Sequence, residues 1–323
     1  MSRWHAAALA ALLLTASAAW AQPLPLRYRD LPLNPDDPAQ TRIGRLDYCG
    51  GFELRAEDED FGGLSGLAWD AAENRLIGVT DRGGWWIARP SHDGQGRMIG
   101  LGGSLFSPML GRDGRPLAGR MADAEAVSRA LDGSYVVAFE RVHRLWRYGP
   151  GLNFQVMRPT PIPHPPGIEA APANGGIEAF AVLADGRMLA AAEELRDAAG
   201  DHQGWVFEGG AWHPLGLVPV GQFRPTDLAA LPNGDAVLLE RRFTTVGGFG
   251  ARLSRLRGGA MRPGARLAGE ELARIERPLQ LGNFEALAAR PMPDGGVTLY
   301  LGTDDNFTAL LRTLLLCFRL PAE

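Results

Sequence analysis

One short pattern recurs five times along the chain: a strand of small residues opened by a polar side chain, a tight turn, and a more apolar strand that ends in an acid. The units are Leu64 to Trp69 with Arg75 to Arg82, Ala124 to Ser128 with Ser134 to Arg141, and Ile177 to Val182 with Arg187 to Glu194. Thr226 to Leu231 with Asp235 to Arg241, and Phe284 to Ala289 with Val297 to Asp305, complete the set. Their opening positions 65, 125, 178, 227 and 285 are spaced 60, 53, 49 and 58 residues apart. Repeats of this length, each too small to bury its own face, must stack on one another, and a four-stranded propeller blade is the unit that fits. Turn signals such as Asp132-Gly133, Asp185-Gly186, Asn233-Gly234 and Asp294-Gly295 fall where hairpins need them. No stretch carries a long helical period. The expected fold is therefore all-β, a β-propeller of five repeats, with a sixth blade only if a degenerate unit hides in 90–120 or 150–173.

The first strand of a blade lines a crowded axis, which accounts for its Ala and Gly, and the second is covered on both faces, which accounts for runs such as Val136-Val137-Ala138-Phe139. After Glu285 too few residues remain for four strands. The missing outer strand is expected from 43–55, so that N- and C-terminal strands share one blade and no edge is left unpaired. That pairing would bring together Cys49 and Cys317, the two cysteines of the chain. A bond between them would close a very long loop, worth roughly 4–5 kcal/mol in the idealised chain-entropy picture. Two buried free thiols are the alternative.

Residues 1–21 read as an export signal: Arg3, an apolar run from Ala6 to Leu14, and small residues at Ala19 and Ala21, with cleavage expected after Ala21. A periplasmic or secreted location follows, with no membrane span after cleavage. Residues 22–41 are proline-rich and are expected to form an extended leader with little packing, ahead of a single propeller domain over 42–323. Formal net charge is −4 without a basic stretch, which argues against nucleic acid as a partner. All 33 basic residues are arginine. The absence of lysine excludes Schiff-base chemistry and a P-loop lysine.

Strand polarity then places the acids. The start of a first strand and the end of a second lie at the same face of the ring, so Ser65, Glu125, Glu178, Asp227 and Glu285 should meet Asp81, Glu140, Glu193 or Glu194, Glu240 and Asp304 at one mouth of the channel. So many carboxylates raise one another's pKa unless a cation intervenes. Compensation can come from Arg82, Arg141, Arg241 and Arg224 as interblade Glu–Arg pairs. It can also come from Ca²⁺, a hard cation that takes six to eight oxygen ligands. The candidate metal ligands are Asp81, Glu125, Glu140, Glu178, Glu193, Asp227, Glu240, Glu285 and Asp304. Glu125, Glu178 and Glu285 are the candidate catalytic groups, and Arg82, Arg141 and Arg241 the candidate substrate-binding ones. Ser65 lacks an identifiable base. His92, His143, His164, His202 and His213 show no metal spacing and are expected at the surface. Trp85, Trp86, Trp205 and Trp212 are expected in blade packing.

The Leu64-Ser-Gly-Leu-Ala-Trp69 opening, Val79-Thr-Asp-Arg-Gly83, Ala124-Glu-Ala126, Gly176-Ile-Glu-Ala-Phe180 and Asn283-Phe-Glu-Ala-Leu287 together resemble the "esterase-like activity of phytase" family of exported bacterial proteins. The likeness runs over roughly 43–320. It implies a propeller and a hydrolase of phosphoesters or carboxylesters acting on a small anionic substrate. The competing expectation is a non-catalytic binding or scaffolding propeller with a structural cation or a Glu–Arg ring, since one fold serves many functions.

Overall fold

The structure, a computed structural model, describes residues 22–151, 153–154 and 156–322; the expected export signal lies outside the described residues. Five sheets surround one axis, antiparallel but for Arg266–Leu267, which adds parallel to the outer strand of the third sheet. Their inner strands are Leu64–Asp70, Ala124–Arg129, Ile177–Val182, Arg224–Ala230 and Asn283–Pro291, for blades 1 to 5. The second strands are Arg75–Thr80, Tyr135–Phe139, Met188–Arg196, Ala236–Thr244 and Val297–Asp304. Third and outer strands complete each blade, and 3₁₀ turns at Gly119–Met121, Ile168–Ala170 and Gly258–Ala260 are the helical elements among the described residues. No helix among them is long and apolar enough to cross a membrane.

The core is divided among the seams between blades. One cluster joins Val79, Trp85 and Ile87 of blade 1 to Tyr135, Val137 and Trp146 of blade 2. Similar clusters join blades 2 and 3, 3 and 4, and 4 and 5. The fifth joins Tyr300, Leu315 and Cys317 of blade 5 to Leu64, Leu67 and Trp86 of blade 1. Five blades therefore have five apolar seams. Trp85 is fully buried with Tyr148 edge-on at 5.1 Å, a side chain whose burial contributes about 3 kcal/mol. Trp86, Trp205 and Trp212 also pack within the blades.

Small residues line the axis because the inner strands nearly touch. A side chain at Gly66 would meet the backbone of Ala126 and Val127 at 2.9 Å. Blade 5 takes its outer strand, Leu46–Ala56, from near the N-terminus, paired antiparallel with Thr313–Leu320. Cys49 and Cys317 form a disulfide across that pair, with Cα atoms 5.1 Å apart.

The proline-rich leader departs from its expectation. Gln22–Pro23 adds to blade 1 and Leu26–Asp30 adds a further strand to blade 5. Leu24, Leu31 and Leu33 are buried, the last two in the seam of blades 4 and 5. Proline forbids helix but not an edge strand, and the leucines between the prolines supply the surface that docks.

Candidate functional site at the channel mouth

Each inner strand carries a β-bulge near its start. Pairing passes from Leu64–Thr80 to Gly66–Val79, from Ala124–Phe139 to Ala126–Ala138, and from Ile177–Ala192 to Ala179–Ala191. It passes likewise from Pro225–Glu240 to Asp227–Leu239, and from Phe284–Thr303 to Ala286–Gly302. The extra, unpaired residue is Ser65, Glu125, Glu178, Thr226 or Glu285. A bulge re-aims a side chain out of the ladder, and here it delivers four of the five first-strand candidates to the mouth. On the second strand, the residue that follows the partner of the last residue before the bulge is Asp81, Glu140, Glu193, Arg241 or Asp304.

Blade 4 is thus one residue out of step with its expected assignment. Thr226 and Arg241 hold the ring positions, and Asp227 and Glu240 do not reach the mouth cluster. A shift of one residue reverses the face a strand side chain takes. Asp227 is fully buried toward the axis, where it accepts backbone N–H groups of Leu287 (2.6 Å), Leu228 (2.7 Å) and Leu67. Glu240 turns into the blade and is held by Arg252 and by the Ser254 hydroxyl at 3.2 Å.

The mouth itself is acidic around one central cation. Arg241 Nη2 lies 3.1 Å from both Glu193 Oε1 and Glu285 Oε1. Burial alone would lower its pKa, but Glu285, Glu178 and Glu193 outweigh it and hold the guanidinium above its ordinary value. Glu285 and Asp304 hydrogen-bond to one another as a carboxyl–carboxylate pair, and Asn283 Nδ2 donates to Glu285 Oε1 at 2.9 Å and to Asp304 Oδ2 at 3.3 Å. Glu178 is raised well above the usual carboxylate range by burial, then by Glu193, Glu140 and Glu125. Glu125 is raised by burial and by Glu140, Asp123 and Glu285.

Asp123, absent from the sequence-derived set, joins this group. Ligand oxygens of Asp123, Glu125 and Glu140 all lie within 4.8 Å of one another. Asp123 stands two residues before Glu125, just ahead of the inner strand, and that closeness to a ring acid is the sequence signal for it. Glu140 Oε1 accepts the N–H groups of Gly175 and Gly176, both at 2.5 Å, which leaves its second oxygen for another partner. Burial pushes Glu140 up to about 7, and pushes Asp81 up to about 7 with help from Asp304 and Asp123.

Two observations bear on whether the residues fit a hard cation. Asp81 Oδ1 and Asn283 Oδ1 are buried with no hydrogen-bond partner among the described residues. Gly63 faces Asp81 so closely that a Cβ there would overlap the carboxylate. Oxygens left unpaired inside a carboxylate-rich cleft match the donor chemistry of Ca²⁺.

The arginines divide. Arg141, at φ +50°, pairs with Asp123. Arg82 places its guanidinium carbon over the Phe307 ring, 3.4 Å from the centroid. Arg224 pairs with Glu194. Ser65 donates to the Gly63 carbonyl at 2.9 Å. One histidine contradicts the expectation of surface positions: His202 is buried, with its ring nitrogens 3.0 Å from the Glu193 carbonyl and 3.2 Å from that of Phe223. Burial, then Arg196, lowers its pKa to about 4.

A family model described as phytase-like, with esterase-like activity of phytase, matches residues 59–307, the span that contains every ring position. The chain belongs to the phytase-like family. Among curated proteins, none matches it. Solved structures similar to this phytase-like chain include the α-L-arabinofuranosidase PaAbf62A from Podospora anserina in complex with cellotriose. That protein is 13% identical over 86% of this chain and 97% of its own, with a TM-score of 0.48. A protein assigned as a gluconolactonase is 13% identical over 93% of this chain and 96% of its own, at 0.46. The WD40 repeats of RRP9 are 13% identical over 93% and 99%, at 0.42.

Proposed function

We propose that this phytase-like propeller is an exported, calcium-assisted hydrolase of small anionic esters, acting at the acidic mouth. The observation that carries the reading is the convergence of Asp123, Glu125 and Glu140 within 4.8 Å, beside carboxyl groups whose pKa values burial and mutual repulsion have raised. Asp123, Glu125 and Glu140 would hold Ca²⁺, with Asp81 Oδ1 as a further oxygen. When bound, the ion supplies Lewis acidity to the ester oxygen and to water. The disulfide supports an oxidising compartment.

The chain's own residues supply proton transfer and charge. Glu178, whose pKa burial and the neighbouring carboxylates raise, takes the proton of the attacking water as general base. The Glu285–Asp304 pair shares a proton and can return it to the leaving oxygen. Arg241, fixed by Glu193 and Glu285, faces the charge that develops on the substrate.

The test is turnover of a panel of phosphoesters and carboxylesters during calcium titration. Activity should rise with calcium, and Glu178→Gln should lower kcat about 10²- to 10⁴-fold with the fold intact. Absence of turnover across the panel with calcium present, together with a Glu178→Gln variant altered only in melting temperature, would leave the binding-propeller reading in its place.

A further inference from the structure

Beside the acidic ring, between blades 3 and 4, lies a cavity of about 470 Å³ with a basic wall. Arg196, Arg224, Arg241 and Arg242 line it together with Gln222 and Phe243, and with Glu193, which is held by Arg241. Three of the guanidiniums have carboxylate partners: Arg224 with Glu194, Arg241 with Glu193 and Glu285, and Arg242 with Glu276 at 2.7 Å. Arg196 makes a 3.4 Å hydrogen bond to the Gly200 carbonyl and no ion pair among the described residues. Partial burial, then the neighbouring charge of Arg224, lowers its pKa. A negative group lodged between the two would relieve that repulsion.

The other wall is aromatic. Phe243, 58% exposed, packs against Phe249 with ring centroids 4.9 Å apart. Both belong to the hairpin of Ala236–Thr244 and Gly248–Leu256, whose pairing runs out to Thr244 and Gly248, well past the ring positions. Its tip carries Val246, 97% exposed. A basic floor beside an exposed apolar wall selects a ligand with both characters.

We propose that this pocket binds an oxyanion, phosphate or carboxylate, carried on an apolar or aromatic body, with Arg196 and Arg224 gripping the anion and Phe243 covering the body. The inference deepens the hydrolase reading by giving the anionic ester a recognition subsite outside the carboxylate ring, and it is tested by binding alone. Arg241 belongs to both sites, so the pocket opens directly onto the ring.

The experiment is calorimetric titration of the full mature chain, stripped of metal on a chelating resin, with phenyl phosphate, benzoate and orthophosphate. Phenyl phosphate should bind more tightly than orthophosphate, and benzoate against phenyl phosphate reports which anion is preferred. Arg196→Gln, at an exposed position that leaves the core untouched, should weaken phenyl phosphate about tenfold, as expected for one charge-assisted contact. Phe243→Ala should reduce phenyl phosphate to the level of orthophosphate. Arg224→Gln is the second basic variant and should weaken both. Phenyl phosphate affinity that survives Arg196→Gln and rises with added calcium would place the anion at the carboxylate ring and overturn the proposal. Undetectable binding of all three probes would overturn it too. Neither result bears on turnover, so the catalytic reading stands or falls separately.

Discussion

Nη2 of Arg241 lies 3.1 Å from Oε1 of Glu285, across the seam between blades 4 and 5. Blade 4 thus contributes a cation where every other blade contributes a second-strand acid. Glu193 reaches the same nitrogen from blade 3. The guanidinium therefore ties three blades together by charge at a place where their inner strands already crowd one another.

Removing it should be costly at neutral pH. Arg241→Gln leaves Glu193 and Glu285 facing each other without a counter-charge, and breaking one partner of a buried pair costs about 3–5 kcal/mol. The loss should shrink when pH falls to 5, because Glu285, whose pKa burial raises above the usual carboxylate range, then takes up a proton, and when calcium is added. Urea melts of both proteins at pH 7.5 and 5, with and without calcium, check this. An equal loss under all conditions would mean that Arg241 acts through packing.

A second prediction concerns the pH dependence of the metal-free protein. Asp81 and Glu140 have folded-state pKa values pushed up to about 7, by burial first. A carboxyl whose folded pKa exceeds its unfolded one binds more protons when native, so stability falls as pH rises between the two values and levels off above the higher. The window runs from about pH 4 to about pH 7, at about 1.4 kcal/mol per pKa unit for each group. Carboxylates with lowered pKa, such as Glu53 beside Arg55 and Arg29, act oppositely and lose their contribution as pH falls through their folded pKa. Metal-free stability should therefore peak near the lower end of the window, and calcium should flatten the decline. A melting temperature that climbs from pH 5 to 7 without metal would sink the idea of an uncompensated acidic ring.

The repeat period made the ring of blades legible, because acids at matched strand ends recur with a spacing that one blade explains. The pairing of Cys49 with Cys317 was legible for the same reason: counting strands left one vacancy in the last blade. Register in blade 4 was not. Asp227 sits beside Thr226 and Glu240 beside Arg241, so an acid is available one residue from each true ring position, and choosing by chemistry selects the wrong one. The bulge that fixes the register is a backbone event with no residue signature. His202 was misplaced because a strand's first residue usually faces solvent, whereas this one bridges carbonyls of Glu193 and Phe223.

The disulfide should matter to the whole ring. It joins positions 268 residues apart and locks the outer strand of blade 5 to its neighbour. Constraint of so long a loop in the unfolded chain is worth about 5 kcal/mol in the idealised chain-entropy picture. The Cys49→Ala, Cys317→Ala double variant should show that loss in urea melts, matched by reduction of the parent. A double variant as stable as the parent would show that the seam of Tyr300, Leu315 and Trp86 closes the ring unaided.

Asp227 separates structure from chemistry. Its carboxylate, buried on the axis, accepts the backbone N–H groups of Leu287 in blade 5 and Leu67 in blade 1, as well as that of Leu228 beside it. Each inner strand is the edge of its blade, so N–H groups that face the axis have no ladder partner, and a buried donor left unpaired costs about 1–3 kcal/mol. Burial raises the pKa of this acid, and the three donors oppose that rise by stabilising the charged form. Asp227→Ala should destabilise by about 3 kcal/mol or more, the sum expected for several stranded donors in a site closed to water. Asp227→Asn, which keeps one acceptor oxygen, should lose less. Because Asp227 points to the axis and away from the ring, turnover per folded molecule should be unchanged in both variants. A large fall in kcat for Asp227→Asn at full folding would return Asp227 to the reacting centre and require the register assigned to blade 4 to be redrawn.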